Sequence, residues 1–248
     1  MIDFGKTAGD YSRYRVPFAP RLFERLREYG IGLAGQRILD VGAGTGLLGD
    51  ELKRRGALVS LIDASAELLR ASISGARRIV ARAESLPLAS ETFDAVTAAQ
   101  CWHWFDRESA PREILRVLRP DGHIAVIYQT YIPLPGSVAA ATESLILRHR
   151  PGWRHANSAG INGQVLRDLQ MRGFDQIESF SFDVPIEFRH ESWLGYIRTT
   201  SAVGASMSTT KLTAFEVEHR SLLEKFPEPL TIPHRVFAVI ARKPVARV

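Results

Sequence analysis

At 248 residues, with 45% hydrophobic and 24% charged side chains, the chain has the length of one large α/β domain and a folded protein's balance, which excludes disorder and fibrous architecture. Its 32 basic and 27 acidic residues give +5, but the bases are scattered (Lys53-Arg54-Arg55 and Arg77-Arg78 are the tightest clusters), so the charge reads as a solvated surface, not a nucleic-acid face. A single cysteine, Cys101, excludes an internal disulfide framework, and Asp3, Lys6, Asp10, Arg13 and Arg15 interrupt any signal-like apolar core, so a cytoplasmic protein with no membrane span is expected.

Phe18, Leu22, Phe23, Leu26 and Tyr29 recur at helical spacing behind Pro17 and Pro20, and Gly30 to Gly35 end that helix. Arg37 to Val41 predicts a short buried strand running into Gly42-Ala43-Gly44-Thr45-Gly46. A helix with Leu47, Leu48 and Leu52 follows and stops at Gly56. Leu58 to Ile62 predicts a second strand ending in Asp63, and Ser65 caps a short helix. Residues 79–81, 93–97 and 123–128 supply further strands. Asp106 or Ser109 starts a helix carrying Ile114, Leu115 and Leu118, closed by Pro120-Asp121-Gly122. Asn162 caps a helix with Val165, Leu166 and Leu169, ended by Gly173, and residues 177–184 and 235–241 read as two late strands. This alternation means βαβ units and a mostly parallel seven-stranded sheet covered by helices on both faces. No linker is visible, so residues 1–248 read as one α/β domain with a core over 1–130. Two partly helical insertions, 131–160 and 188–229, leave the sheet at one end and should form a lid.

A strand, a glycine-rich turn and a helix make a nucleotide-type binding turn, because glycines allow positive φ and close backbone approach to a ligand. Asp63, 21 residues after Gly42, stands where an acid accepts hydrogen bonds from ribose hydroxyls. No Lys-Ser or Lys-Thr follows the glycines, so the turn is not a phosphate loop. A dinucleotide fold prefers GxGxxG, but here Leu47 takes the third position and glycine falls one residue early, at Gly46. An NAD-dependent oxidoreductase therefore stands as the alternative.

Ile38-Leu39-Asp40-Val41-Gly42-Ala43-Gly44-Thr45-Gly46 resembles motif I of the class I S-adenosylmethionine-dependent methyltransferases. Leu61-Ile62-Asp63-Ala64-Ser65 resembles motif II, and Ala83-Glu84-Ser85-Leu86-Pro87-Leu88 the adenine-contacting segment. Phe93-Asp94-Ala95-Val96 with Gln100 through Asp106 resembles the fourth strand and its loop, and Leu115 through Gly122 the helix-turn-strand that follows. The resemblance covers about residues 10 to 130. It implies a Rossmann-like sheet and S-adenosylmethionine as cofactor, with Asp40, Gly42, Ala43, Gly44, Gly46, Asp63, Ala64, Ala83, Glu84 and Gln100 around it. Arg82 departs from the pattern, since many relatives carry an acid there. Tyr11-Ser12-Arg13-Tyr14-Arg15 and His103-Trp104-Phe105-Asp106 resemble the small-molecule branch of trans-aconitate methyltransferase. In that branch the opening folds over the cofactor, which implies that Arg15, or else Arg13, pairs with the methionyl carboxylate.

Methyl transfer from a sulfonium is an in-line displacement that needs positioning more than covalent help, and a base only where the nucleophile must lose a proton. His103 is the candidate for that proton. Tyr11, Trp102, Trp104, Tyr128, Trp193 and Tyr196 are candidates to line the substrate, with Tyr131, Trp153, His155, His190 and Arg198 beside them. An aromatic wall favours a planar substrate. Cys101 reads as packing, and His149 and His155 without matching carboxylates predict no metal. The expected activity is N-methylation of a pteridine- or azapteridine-like heterocycle of secondary metabolism (toxoflavin synthesis is one such case) or O-methylation of a carboxylic acid. A non-catalytic S-adenosylmethionine-binding protein is a further alternative. Gln100-Cys101-Trp102-His103 lacks the Asn/Asp-Pro-Pro-aromatic loop of DNA amino-methyltransferases. A small-molecule partner, no nucleic acid or membrane, and a monomer or homodimer are expected.

Overall fold

Burial on both faces is what the near-continuous apolar strands require, and helices on either side of a parallel sheet supply it. The computed structural model describes residues 8–73 and 75–245; the side chains of Ala8, Tyr11 and Ser12 lie outside the described residues. Helices α1 (Ala8–Tyr14) and α2 (Pro20–Glu28) precede β1 (Arg37–Val41), α3 (Leu47–Arg54), β2 (Leu58–Asp63), α4 (Ala66–Arg70), β3 (Arg77–Val80) and β4 (Phe93–Ala99). A 3-10 turn (Trp102–Trp104), α5 (Ser109–Val117) and β5 (Leu118–Tyr131) follow. The chain ends with α6 (Val138–His149), α7 (Gln164–Gln170), β6 (Asp175–Phe188), α8 (His190–Arg198), α9 (Thr209–Leu223) and β7 (Leu230–Arg242).

The seven strands form one sheet in the order β3-β2-β1-β4-β5-β7-β6. Strands β1 to β5 pair in parallel, with Asp40 opposite both Leu61 and Thr97. The Asp121 amide donates to the Lys243 carbonyl and the Ile132 amide to the Pro233 carbonyl, so β7 runs against β5. Alternation along the strands sorts the apolar side chains into two cores. Leu39, Val41, Val96, Ala98, Ile124 and Val126 join one, and Ile38, Ala95, Ala125 and Ile127 the other.

Several boundaries differ from expectation, and three of the differences have a local reason or a local consequence. Leu118 leaves α5 in extended conformation and pairs with Phe93, and Pro120 disfavours a return to helix at Arg119, the residue before it. Strand β6 runs through Pro185; it is an edge strand, where a missing amide donor is tolerated. The residue preceding α7 is Gly163, not Asn162.

The chain divides into two compact units. The larger comprises residues 17–129, 162–182 and 236–248, and the smaller 1–16, 130–161 and 183–235. The two expected insertions therefore fall in one unit and share a core of Tyr131, Leu145, Ile146, Phe188, Trp193 and Tyr196 among others. Within it α1 seats on α8 at Gly195, where a Cβ would overlap the Tyr14 ring, and Arg198 joins Asp10 to Glu216. No helix among the described residues is long and apolar enough to cross a membrane.

Candidate functional site

In the larger unit, β1 ends in a turn whose three glycines all have positive φ: Gly42 at 67°, Gly44 at 57° and Gly46 at 85°. Two of them answer to different constraints. A Cβ on Gly42 would sit 2.7 Å from Cys101 Sγ, so packing forbids a side chain there. A Cβ on Gly44 would meet nothing within 4 Å, so the turn opens onto space at that point. Beside it, the buried Thr45 hydroxyl finds no hydrogen-bond partner among the described residues.

The acid at the tip of β2 is locked to this turn. Asp63 Oδ2 accepts from the Gly44 amide at 2.8 Å, and Oδ1 from the Ser65 amide at 2.8 Å. Burial pushes its carboxyl up, against those amides and that of Ala64. Asp40, at the end of β1, is 1% exposed. Its Oδ1 accepts from Thr97 Oγ1 at 2.6 Å and its Oδ2 from the Gly49 amide at 3.1 Å. Burial pushes Asp40 up to about 7, with the nearby charges of Asp50 and Asp63 adding to the effect. The Ser72 hydroxyl in turn donates to Asp50 Oδ1 at 2.9 Å.

The segment after β4 is held from several sides. Gln100 takes φ 61°, its amide donates to the Ile127 carbonyl at 2.8 Å, and its side chain donates to the Gln129 carbonyl. Cys101 Sγ lies 3.2 Å from the Val41 carbonyl, and burial pushes its thiol up, which suits the packing role expected of it. Glu84 accepts from the Asp106 amide at 2.9 Å and faces Arg82 at 3.2 Å. Its carboxylate thus anchors the loop, while Ala83 beside it is buried. Ala64 is exposed next to Asp63. His103 is exposed, its ring 4.5 Å from Trp104 and 6.1 Å from Tyr128. The Tyr128 hydroxyl faces the Asn162 side chain and the His103 backbone, and burial pushes it well up.

Three expected substrate residues are corrected by burial. Trp102 is 3% exposed, with its indole N–H on Asp168 Oδ2 at 3.0 Å. Trp193 and Tyr196 are 0% and 2% exposed, stacked on each other at 5.4 Å in the smaller unit's core. Side chains this enclosed pack the interior and form no open wall. Arg15 lies in the same unit, its guanidinium 5.2 Å from the Tyr196 ring centroid. Trp104 remains 42% exposed, and the side chain of Tyr11 lies outside the described residues.

Four residues that support the site escaped the sequence. Thr97 and Asp168 act through partners far along the chain. The Glu113–Arg116 pair of α5 clamps the 86–88 backbone, Arg116 donating to the carbonyls of Leu86 and Leu88 and Glu113 accepting from the Leu86 amide. Gly49 did leave a signal: a glycine inside a helix costs roughly 0.5–1 kcal/mol relative to alanine and so calls for a reason. The reason is contact, since a Cβ there would overlap Leu61 and come within 3.0 Å of Asp40 Oδ2. Among the described residues no group of three or more His, Cys, Asp or Glu is placed to hold a metal ion.

Residues 39–126 match the family model described as a methyltransferase domain. The chain is 37% identical to an uncharacterised methyltransferase of Mycobacterium tuberculosis over 132 residues, 52% of this chain and 53% of that protein, and so spans about half the length of that curated relative. It is 30% identical to a malonyl-acyl-carrier-protein O-methyltransferase of Geobacter sulfurreducens, over 82% of this chain and 79% of that one. It is likewise 30% identical to a demethylmenaquinone methyltransferase of Corynebacterium urealyticum, over 77% and 83%. Among solved structures, a protein of Anaeromyxobacter dehalogenans assigned as a type II methyltransferase superposes with TM-score 0.68 at 23% identity, covering 94% of this chain and 99% of that one. A phosphoethanolamine N-methyltransferase of Haemonchus contortus, solved with S-adenosylhomocysteine, gives TM-score 0.57 at 16% identity, over 98% and 61%. Both structural likenesses speak for the fold.

Proposed function

Because this chain belongs to the class I S-adenosylmethionine-dependent methyltransferases, we propose that it binds S-adenosylmethionine at the glycine turn and methylates a small molecule. The observation that carries the reading is Asp63 fixed to the Gly44 amide beside an open stretch of backbone and an unsatisfied Thr45 hydroxyl. A carboxylate held by amides at the rim of such a space suits vicinal ribose hydroxyls, and the open position at Gly44 admits a ligand where a side chain would stand. Asp40, Gly42, Ala43, Gly46, Ala64, Ala83 and Gln100 complete the proposed cofactor set, with Glu84 holding the loop beside it.

When bound, S-adenosylmethionine supplies a methyl group already activated on a sulfonium. The chain's own task is then to align the acceptor and exclude water, an effect worth roughly 7–11 kcal/mol when geometry is good. His103 is the proposed proton acceptor, and Trp104 beside it is the proposed platform for a planar substrate, with the buried Tyr128 ring backing His103 from the core. Two acceptor chemistries remain in view. The Geobacter relative's name supports carboxyl O-methylation, and the aromatic grouping supports N-methylation of a heterocycle.

Calorimetry with S-adenosylmethionine, S-adenosylhomocysteine and NAD tests the cofactor; tighter binding of NAD than of S-adenosylhomocysteine sinks the reading. Methyl transfer from labelled S-adenosylmethionine to a panel of carboxylic acids and planar heterocycles then separates the two acceptors. In single turnover, His103→Ala should slow transfer about 100-fold with cofactor affinity unchanged if His103 takes the proton. If it only shapes the pocket, His103→Gln keeps most of the rate and shifts substrate affinity.

A further inference from the structure

Asp40 is enclosed without a countercharge. Its two oxygens take one hydroxyl, from Thr97, and one amide, from Gly49, and no Lys, Arg or His side chain pairs with it among the described residues. The ionisable groups that face it are Asp50 from α3, Asp63 from β2 and Cys101 from the segment after β4, and none of these is a cation. An asparagine could keep both contacts, its Oδ1 accepting from the Gly49 amide and its Nδ2 donating to a Thr97 hydroxyl turned to accept, without the buried charge that is costly to hold in the interior when it lacks a partner. Hydrogen bonding alone therefore does not account for an ionisable group at this position. It lies enclosed two residues before Gly42, within electrostatic reach of Asp63, behind the turn proposed to receive a ligand whose reactive and spent forms differ by one methyl group and one positive charge.

We propose that Asp40 distinguishes the sulfonium cofactor from its neutral product, S-adenosylmethionine binding with Asp40 ionised and S-adenosylhomocysteine binding equally well when Asp40 carries a proton. This rests on reading the glycine turn as the cofactor site. The direction follows from linkage: a ligand bearing the extra positive charge favours the ionised carboxylate, so its affinity relative to the neutral product rises as Asp40 loses its proton. A carboxyl held near neutrality makes that preference felt at ordinary pH.

The test measures dissociation constants for both ligands by calorimetry on the full chain, from about pH 5.5 to about pH 8.5. In the wild type the ratio of the S-adenosylhomocysteine constant to the S-adenosylmethionine constant should climb about tenfold more over this range than in Asp40→Asn. Comparing the two proteins cancels titration of the ligands' own amino groups. The binding of S-adenosylmethionine should also release protons, read from its apparent enthalpy in buffers of different ionisation heat, and the variant should lose that release. Thr97→Val keeps the carboxyl but removes the hydroxyl that favours its ionised form, so the climb should move to higher pH. A wild-type ratio that parallels the variant's, or Asp40→Asn weakening both ligands equally, overturns the proposal. If Asp40→Asn fails to fold, Thr97→Val decides, and an unmoved climb overturns it. Should neither ligand bind the wild type at any pH, the cofactor reading itself fails.

Discussion

The Gly44 amide donates to Asp63 Oδ2 at 2.8 Å, so the end of β2 and the glycine turn after β1 are a single hydrogen-bonded assembly. Asp63→Ala should weaken S-adenosylhomocysteine binding by about 1.5–3 kcal/mol, the range for a hydrogen bond to a charged group. It should also lower the melting temperature, because the Gly44 and Ser65 amides lose their acceptor. Calorimetry and thermal denaturation check the two effects separately. Equal affinity for both proteins would remove Asp63 from the site.

Gly42 and Gly44 share positive φ but not surroundings, and their alanine variants should part company. Gly42→Ala drives a methyl into Cys101 and Phe105, so it should destabilise the fold by about 1–3 kcal/mol as an overpacked site does. Gly44→Ala meets open space and should cost about 1–2 kcal/mol from its backbone conformation. Its larger effect should be on cofactor affinity, because the methyl occupies the opening. Denaturant titration beside calorimetry gives the comparison; equal losses of affinity at the two positions would count against Gly44 facing the ligand.

Asp168 should prove as important to the loop after β4 as any residue within it. It accepts from the Trp102 indole at 3.0 Å and from Gln164 at 2.9 Å. Asp168→Ala leaves a buried indole N–H unsatisfied, at about 1–3 kcal/mol, and loosens the turn that carries His103. Urea unfolding should show the loss, and amide exchange of residues 101–106 should quicken. Unchanged exchange there would confine Asp168 to α7.

Two buried histidines in the smaller unit should make the protein sensitive to acid. Burial holds both His219 and His234 down to about 4. In the unfolded chain they take a proton near 6.5, so the unfolded state binds more protons between about pH 4 and 6.5. Stability from these groups is thus full above that window and lost as pH falls through it, by up to about 1.4 kcal/mol per pH unit for each. Asp40 runs the other way, since its folded form holds a proton up to about 7 and loses stability as pH rises from the ordinary carboxylate range. The test is therefore a difference: His234→Gln should flatten the rise of unfolding free energy between pH 4 and 6.5 relative to wild type. Parallel curves would mean that His234 is not neutral in the fold.

The core of the candidate site was legible because its signals are local. A strand running into Gly42-Ala43-Gly44-Thr45-Gly46, a helix stopped at Gly56 and an acid at the tip of the next strand all follow from periodicity and backbone conformation over short stretches, and Ser65 caps α4 as its side-chain chemistry directs. Local conformation also carried the alternation that makes the sheet, although the ends of β5, β6 and β7 ran past their expected limits, where strand pairing overrode the turn signals of proline.

What the tertiary structure alone decided is which side chains meet across long separations. Thr97 reaches Asp40 over 57 residues because parallel register sets them opposite each other on neighbouring strands. Trp102 finds Asp168 over 66 residues because α7 packs into the same core. The same kind of packing took Trp102, Trp193 and Tyr196 from the expected substrate wall into the interior. An aromatic residue carries no mark in the sequence of whether its ring fills a core or faces a ligand. Apolar area drives both outcomes, and only the arrangement of neighbours determines which of them is realised.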